Sequence, residues 1–176
     1  YYARGIYDTN PHLRRAIDTM VDGTGTPAVE VNGITAGGYY VYAANGKYSS
    51  SAPKVYVLHN YAASETTEPY VSSSAFSGKL AAMCYIGGEN ADDSYLENFL
   101  ILGQNGTLYS YQLVTNLDGL YGAANVSTVG TLDLTAMSGA SMTMTGEDTL
   151  TISVNADDGV VLYEYTISTG ELSELA

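Results

Sequence analysis

Two acidic loops and a set of tyrosines are the residues whose type and spacing could do chemistry. Glu89-Asn90-Ala91-Asp92-Asp93 and Asn155-Ala156-Asp157-Asp158-Gly159 crowd carboxylates and carbonyls into short turns. Hard oxygen donors of this kind suit Ca²⁺, which makes Asp92, Asp93, Asp157 and Asp158 the candidate metal ligands. Asp and Asn are also ordinary turn residues. The plain-turn reading therefore ranks first: no cofactor, with weak calcium binding as the alternative. Aromatic stacking is the second chemistry. The chain has 17 Tyr, 2 Phe and no Trp, and Tyr39, Tyr40 and Tyr121 are the candidate ligand-binding residues.

Catalytic constellations are harder to assemble. His12 and His59 are the two possible imidazole bases, and there is no Gly-x-Ser-x-Gly elbow. There is no His-Glu-x-x-His, no cysteine pair and no EF-hand loop. Cys84 is the sole cysteine, set in apolar Leu80-Ala81-Ala82-Met83-Cys84-Tyr85-Ile86, and it reads as a buried structural thiol with no intramolecular partner. A hydrolase would place paired carboxylates across a pocket. The segments expected to form inner strands, Lys79 to Ile86 and Ala140 to Thr145, contain no Asp or Glu. The reading is a non-enzyme, with a hydrolase fragment as one alternative.

Composition narrows the partners. Of 176 residues, six are Lys or Arg and 19 are Asp or Glu, a formal net charge of −13. Phosphate backbones and anionic lipid surfaces both need a basic patch, so nucleic acid and acidic membranes are disfavoured. No apolar run reaches the roughly 18–20 residues of a membrane helix, so membrane insertion is not expected. At 45% hydrophobic residues, the chain has material for a core. An excess of Tyr, Thr, Ser and Gly with little Lys points to an extracellular or cell-surface β protein. With no leader at the start, the chain is expected to be a mature or excised piece of a longer one.

The elements that must carry these residues are strands in a repeated pattern. Asn98 to Gly103 leads through Gln104-Asn105-Gly106 into Thr107 to Leu113. Leu150 to Val154 leads through Asn155 to Gly159 into Val160 to Ile167. Each is a strand, a turn signal and a second strand, with Asn-Gly and Asp-Gly supplying the positive φ of tight hairpins. Tyr39 to Ala44, Asn45-Gly46 and Lys54 to His59 repeat the plan, and Tyr2 to Asp18 repeats it loosely. Leu13, Val55, Leu108 and Leu162 are equivalent positions, at a period near the roughly 40–50 residues of a four-stranded propeller blade. First strands are expected over Val31 to Thr35, Lys79 to Ile86 and Ala140 to Thr145. Outer strands are expected over Thr26 to Val31, Glu68 to Ser72, Thr128 to Leu134 and Leu172 to Leu175. Residues 10–22 also carry helix signals, with Asn10 at the N-cap, Pro11 at N1 and Gly23 at the end. Strand and helix both stay open there.

The phrases Asn105-Gly106-Thr107-Leu108-Tyr109-Ser110-Tyr111 and Val161-Leu162-Tyr163-Glu164-Tyr165-Thr166-Ile167-Ser168-Thr169-Gly170 resemble blade motifs of bacterial extracellular β-propeller repeat proteins. The likeness extends in outline over residues 33–176. The Trp-Asp and Gly-His signatures of WD40-like propellers are absent, as is the Trp motif of quinoprotein-like ones. The resemblance thus implies blades without implying a quinone cofactor, and such a fold hosts many functions.

The expected architecture is all-β: repeated four-stranded antiparallel blades forming a partial or small β-propeller, in units 1–31, 31–72, 79–134 and 140–176. The expected role is a non-catalytic extracellular binding, adhesion or scaffold module that displays loops to a protein or glycan. Further blades from the rest of the chain, or a homo-oligomer, would complete it. The alternative from another class is a structural subunit of a cell-surface assembly, pairing through exposed strand edges.

Overall fold

Strands dominate what the computed structural model describes, residues 34–36, 39–44, 54–59, 76–92, 94–116, 121–134 and 136–175. Every regular element among the described residues is a β-strand. They fall in two compact units, Tyr1–Phe76 and Ser77–Ala176. In the first, β1 (Ile34–Ala36), β2 (Tyr39–Ala44) and β3 (Lys54–His59) form an antiparallel sheet in chain order. The expected strands 39–44 and 54–59 are present at those bounds. The ambiguous segment 10–22, the Asn45-Gly46 turn and the expected strand 68–72 lie outside the described residues.

The second unit holds two four-stranded antiparallel meanders. One runs β4 (Leu80–Ala91), β5 (Ser94–Gly103), β6 (Thr107–Asn116) and β7 (Tyr121–Thr131). The other runs β8 (Gly139–Met144), β9 (Thr149–Ala156), β10 (Gly159–Thr166) and β11 (Glu171–Leu175). Neither sheet closes on itself.

The two sheets differ in how many faces they bury, and their sequences show why. Along β9, Leu150, Ile152 and Val154 point inward and are fully buried, while Thr149, Thr151 and Ser153 are only partly covered and Asn155 is exposed. That period of two marks a sheet with one apolar face. β5 has no such alternation: Phe99, Leu100, Ile101 and Leu102 are all buried, as in a strand covered on both faces.

Register separates the two faces of the β4–β7 sheet. Leu102 pairs with Leu108, and Ala82 pairs with Leu102. These residues share one core with Met142, Leu150, Ile152, Val154, Tyr163 and Tyr165 of the other sheet. Burying a side chain of this size contributes about 1.5–3 kcal/mol, so this shared core holds the sheets together. β4 lies against β8. At the far side, a Cβ on Gly130 of β7 would stand 3.6 Å from Leu172 of β11. β4 thus stacks on β8, and β7 approaches β11 at Gly130.

Turn chemistry differs in detail from the expectation. Among the described residues no non-glycine has a positive φ, so Asn105 and Asp158 do not supply it. The glycines after them do: Gly106 has φ +88° and Gly159 φ +128°. The Gly106 N–H closes a turn on the Gly103 carbonyl at 3.0 Å, and its carbonyl accepts from the Leu132 N–H at 2.8 Å. Asn105 instead braces the turn, accepting from the Thr107 N–H and donating to the Ser77 carbonyl, both at 3.0 Å.

Three strand bounds also need correction. β4 continues past Ile86 through Gly87-Gly88, which carry the strand across a bulge where a turn would be read. β7 begins at Tyr121, seven residues before the expected start; its Gly, Ala and Asn have low strand propensity, and the ladder to β6 holds them in a strand nonetheless. β5 begins at Ser94, which brings Glu97 into the sheet.

Candidate functional site

The candidate residues are dispersed. Tyr39 and Tyr40 lie on β2 of the first unit, paired with His59 and Leu58. Tyr121 opens β7 in the second. The side chains of these tyrosines and of His59 lie outside what is described, as do His12 and Asp93. Asp92 sits exposed in the β4–β5 turn, and Asp157 and Asp158 form the exposed β9–β10 turn in the other sheet. Among the described residues no three His, Cys, Asp or Glu side chains gather as a metal site.

The structure assembles a different cluster, on the face of the β4–β7 sheet turned away from the shared core. Tyr85, Phe99 and Tyr111 stand directly opposite one another on β4, β5 and β6. Their ring centroids are 5.2 Å and 5.8 Å apart, with interplanar angles of 55° and 57°. Tilted pairs at this separation add about 0.5–1.5 kcal/mol each beyond burial. Two residues before Phe99 on the same face is Glu97, opposite Gly88 on β4 and Leu113 on β6. Glu97 is 0% exposed, and neither of its carboxylate oxygens has a hydrogen-bond partner. Tyr95 precedes it by two more positions, its ring lying over Gly88.

Electrostatics follow from that burial. Desolvation pushes the Glu97 carboxyl above its ordinary range. Tyr85 is pushed up to about 12, first by desolvation, then by its hydrogen bond to Tyr95 and the negative charges of Tyr95 and Glu97. The arrangement is an aromatic row beside one buried carboxyl whose charged form burial disfavours.

Glu97 was legible only in part. Tyr95 and Phe99 at i−2 and i+2 place it on an aromatic strand face, but that signal requires the strand to begin before Asn98. The acid-free character of the expected first strands therefore missed a carboxylate on the second strand, and β4 itself extends to include the exposed Glu89.

Two other reactive groups have structural roles. Cys84 is half-buried, not fully so. Its thiol donates to the Tyr85 carbonyl at 3.4 Å; desolvation raises it, partly offset by the Met144 backbone N–H. A raised thiol is a poor nucleophile. The Asp148 carboxylate, in the β8–β9 turn, accepts from the Ser168 N–H at 2.8 Å and from the Ser168 hydroxyl. The Asp148 carbonyl accepts from the Ile167 N–H at 2.9 Å. It ties one turn to the next.

No family model, no curated protein and no solved structure matches this chain.

Proposed function

We propose that this chain is part of a β-propeller-like, non-catalytic extracellular module that recognises a neutral glycan or protein surface. The observation that carries the reading is the same-order stacking of two four-stranded meanders, β4 against β8 and Gly130 of β7 against Leu172 of β11. Successive propeller blades stack in that way. The outward side of the β8–β11 sheet supports a recognition role. Ser141, Thr143 and Asn155 are exposed there, with Thr151 and Ser153 partly so, beside the exposed Val160 and Leu162 and the partly covered Glu164, a surface that offers both hydroxyl and amide groups and apolar contact. The net charge of −13 disfavours anionic ligands.

Retention on an array of neutral glycans and immobilised surface proteins tests it. The expected result is saturable binding, weakened by Thr143→Arg or Ser141→Arg on that face, with the ligand recovered unchanged. A ligand recovered cleaved would favour the hydrolase alternative, and no retention on any surface would overturn the recognition role.

A second reading, a structural subunit that pairs through strand edges, is favoured by β7. Among the described strands this eleven-residue strand pairs with β6 alone, and it carries no charge and no proline, the usual devices that blunt an edge. Ser127→Lys should abolish any self-association seen by analytical sizing. A strict monomer at all concentrations would exclude this reading.

A further inference from the structure

We propose that Asp158-Gly159, at the tip of the β9–β10 hairpin, is a self-modification site where Asp158 isomerises to isoaspartate, and that the fold protects the equivalent Asn105-Gly106 turn from the same chemistry. The inference is independent of the recognition role.

The reaction needs only these two residues and water. The Gly159 backbone nitrogen attacks the Asp158 carboxyl carbon, and the nitrogen's proton and a carboxyl hydroxyl leave together as water. The resulting cyclic imide takes water back at either carbonyl. One cleavage restores aspartate; the other routes the backbone through the side-chain carbon as isoaspartate. Asn105 closes the same ring by losing ammonia in place of water. Glycine in the following position leaves the attacking nitrogen uncrowded. Residue type alone ranks Asn105 as the more reactive, because an amide is a better electrophile than an ionised carboxylate.

Anchoring reverses that expectation. The two hairpins turn alike, each placing a glycine of positive φ after two non-glycine residues. At the first, the Asn105 side chain donates to the Ser77 carbonyl and accepts from the Thr107 N–H, both at 3.0 Å. The Gly106 N–H, which carries the attacking nitrogen, donates to the Gly103 carbonyl at 3.0 Å. The Gln104 N–H donates to the Lys79 carbonyl, and the Leu132 N–H to the Gly106 carbonyl, each at 2.8 Å. Ring closure must break the side-chain bonds and turn Gly106 against the Leu132 backbone, so this turn has to open first.

The second turn has no such ties. Asp157, Asp158 and Gly159 are exposed, and a Cβ on Gly159 would meet nothing within 4 Å. Among the described residues no hydrogen bond holds the Asp158 carboxylate. The Ser138 N–H bonds the Asn155 carbonyl at 2.8 Å, below the tip. A hairpin tip without tertiary contacts opens locally at little cost. Isoaspartate there inserts one backbone atom between the paired residues Ala156 and Gly159.

Storage of the full chain at neutral pH, folded and in urea, tests the proposal, read by peptide-resolved mass spectrometry with electron-transfer fragmentation. Each turn is compared with itself in the two conditions, which removes the intrinsic difference between Asn and Asp. Isoaspartate at 158 should accumulate in the folded chain nearly as fast as in urea. Folding should slow the loss of Asn105 at least about tenfold more, the factor set by about 1.4 kcal/mol of local opening. Equal slowing at both turns, or isoaspartate at 158 only in urea, overturns the inference.

Discussion

The ring of Tyr95 occupies the space in which residue 88 would carry a Cβ, so Gly88 and Tyr95 fit together across the β4–β5 ladder. The pair are diagonal neighbours, since Gly88 stands opposite Glu97 and Tyr95 opposite Asn90. An aromatic ring laid over a strand glycine restores cover that the glycine lacks. It also fixes the Tyr95 hydroxyl near Tyr85, at the margin of the buried carboxyl.

Gly88→Ala should therefore push the Tyr95 ring aside at a modest cost, about 1 kcal/mol or less, since the obstructing atoms are the far end of a partly exposed side chain. In a Tyr95→Ala background the same substitution should cost much less, because the obstructing ring is gone. A double-mutant cycle read by urea denaturation checks this. Equal costs in both backgrounds would show that the pair does not interact.

Leu108 and Leu162 hold equivalent places before Tyr-x-Tyr in the two sheets, but their surroundings differ. Leu108 is 0% exposed in the shared core, whereas Leu162 is 40% exposed on the outward face. Leu108→Ala should cost about 2–5 kcal/mol, as core truncations do. Leu162→Ala should cost about 1 kcal/mol or less. Thermal or urea unfolding of the two variants side by side measures the difference.

Asp148→Ala removes the acceptor for both the Ser168 N–H and the Ser168 hydroxyl. The site is partly open to water, so the loss should be modest, about 1 kcal/mol. Hydrogen exchange should show where it falls: the Ser168 amide should exchange faster, with β4–β7 amides unchanged. Uniform acceleration throughout would mean that the turn clamp stabilises the whole unit.

Much of the second unit could be read from its residues. The hairpin around Gln104-Asn105-Gly106 and the one around Asp157-Asp158-Gly159 were marked by turn residues between β-rich runs. Leu150 to Val154 was legible as a strand, and the structure shows which of its residues, Leu150, Ile152 and Val154, are buried. What could not be read depended on contacts between strands. Gly87-Gly88 looks like a turn until Tyr95 is known to cover it. Tyr121-Gly122-Ala123-Ala124 looks like a loop until the β6 ladder is known to pair with it. The Tyr85–Phe99–Tyr111 row and the buried Glu97 arise from register across three strands, which no single segment encodes. The dispersed candidates Tyr39, Tyr40, Tyr121 and the acidic turns were chosen by residue type, and type alone does not bring residues together.

Same-order stacking of the two sheets carries both the architecture and the functional reading, and one contact reports on it. A Cβ on Gly130 would lie 3.6 Å from a Leu172 methyl carbon, which places the Gly130 α-protons beside that methyl group. Nuclear Overhauser spectroscopy of the labelled full chain should show a strong cross-peak between a Leu172 methyl and the Gly130 α-protons. A spectrum with both resonances assigned and no such cross-peak would contradict the stacking of β7 against β11.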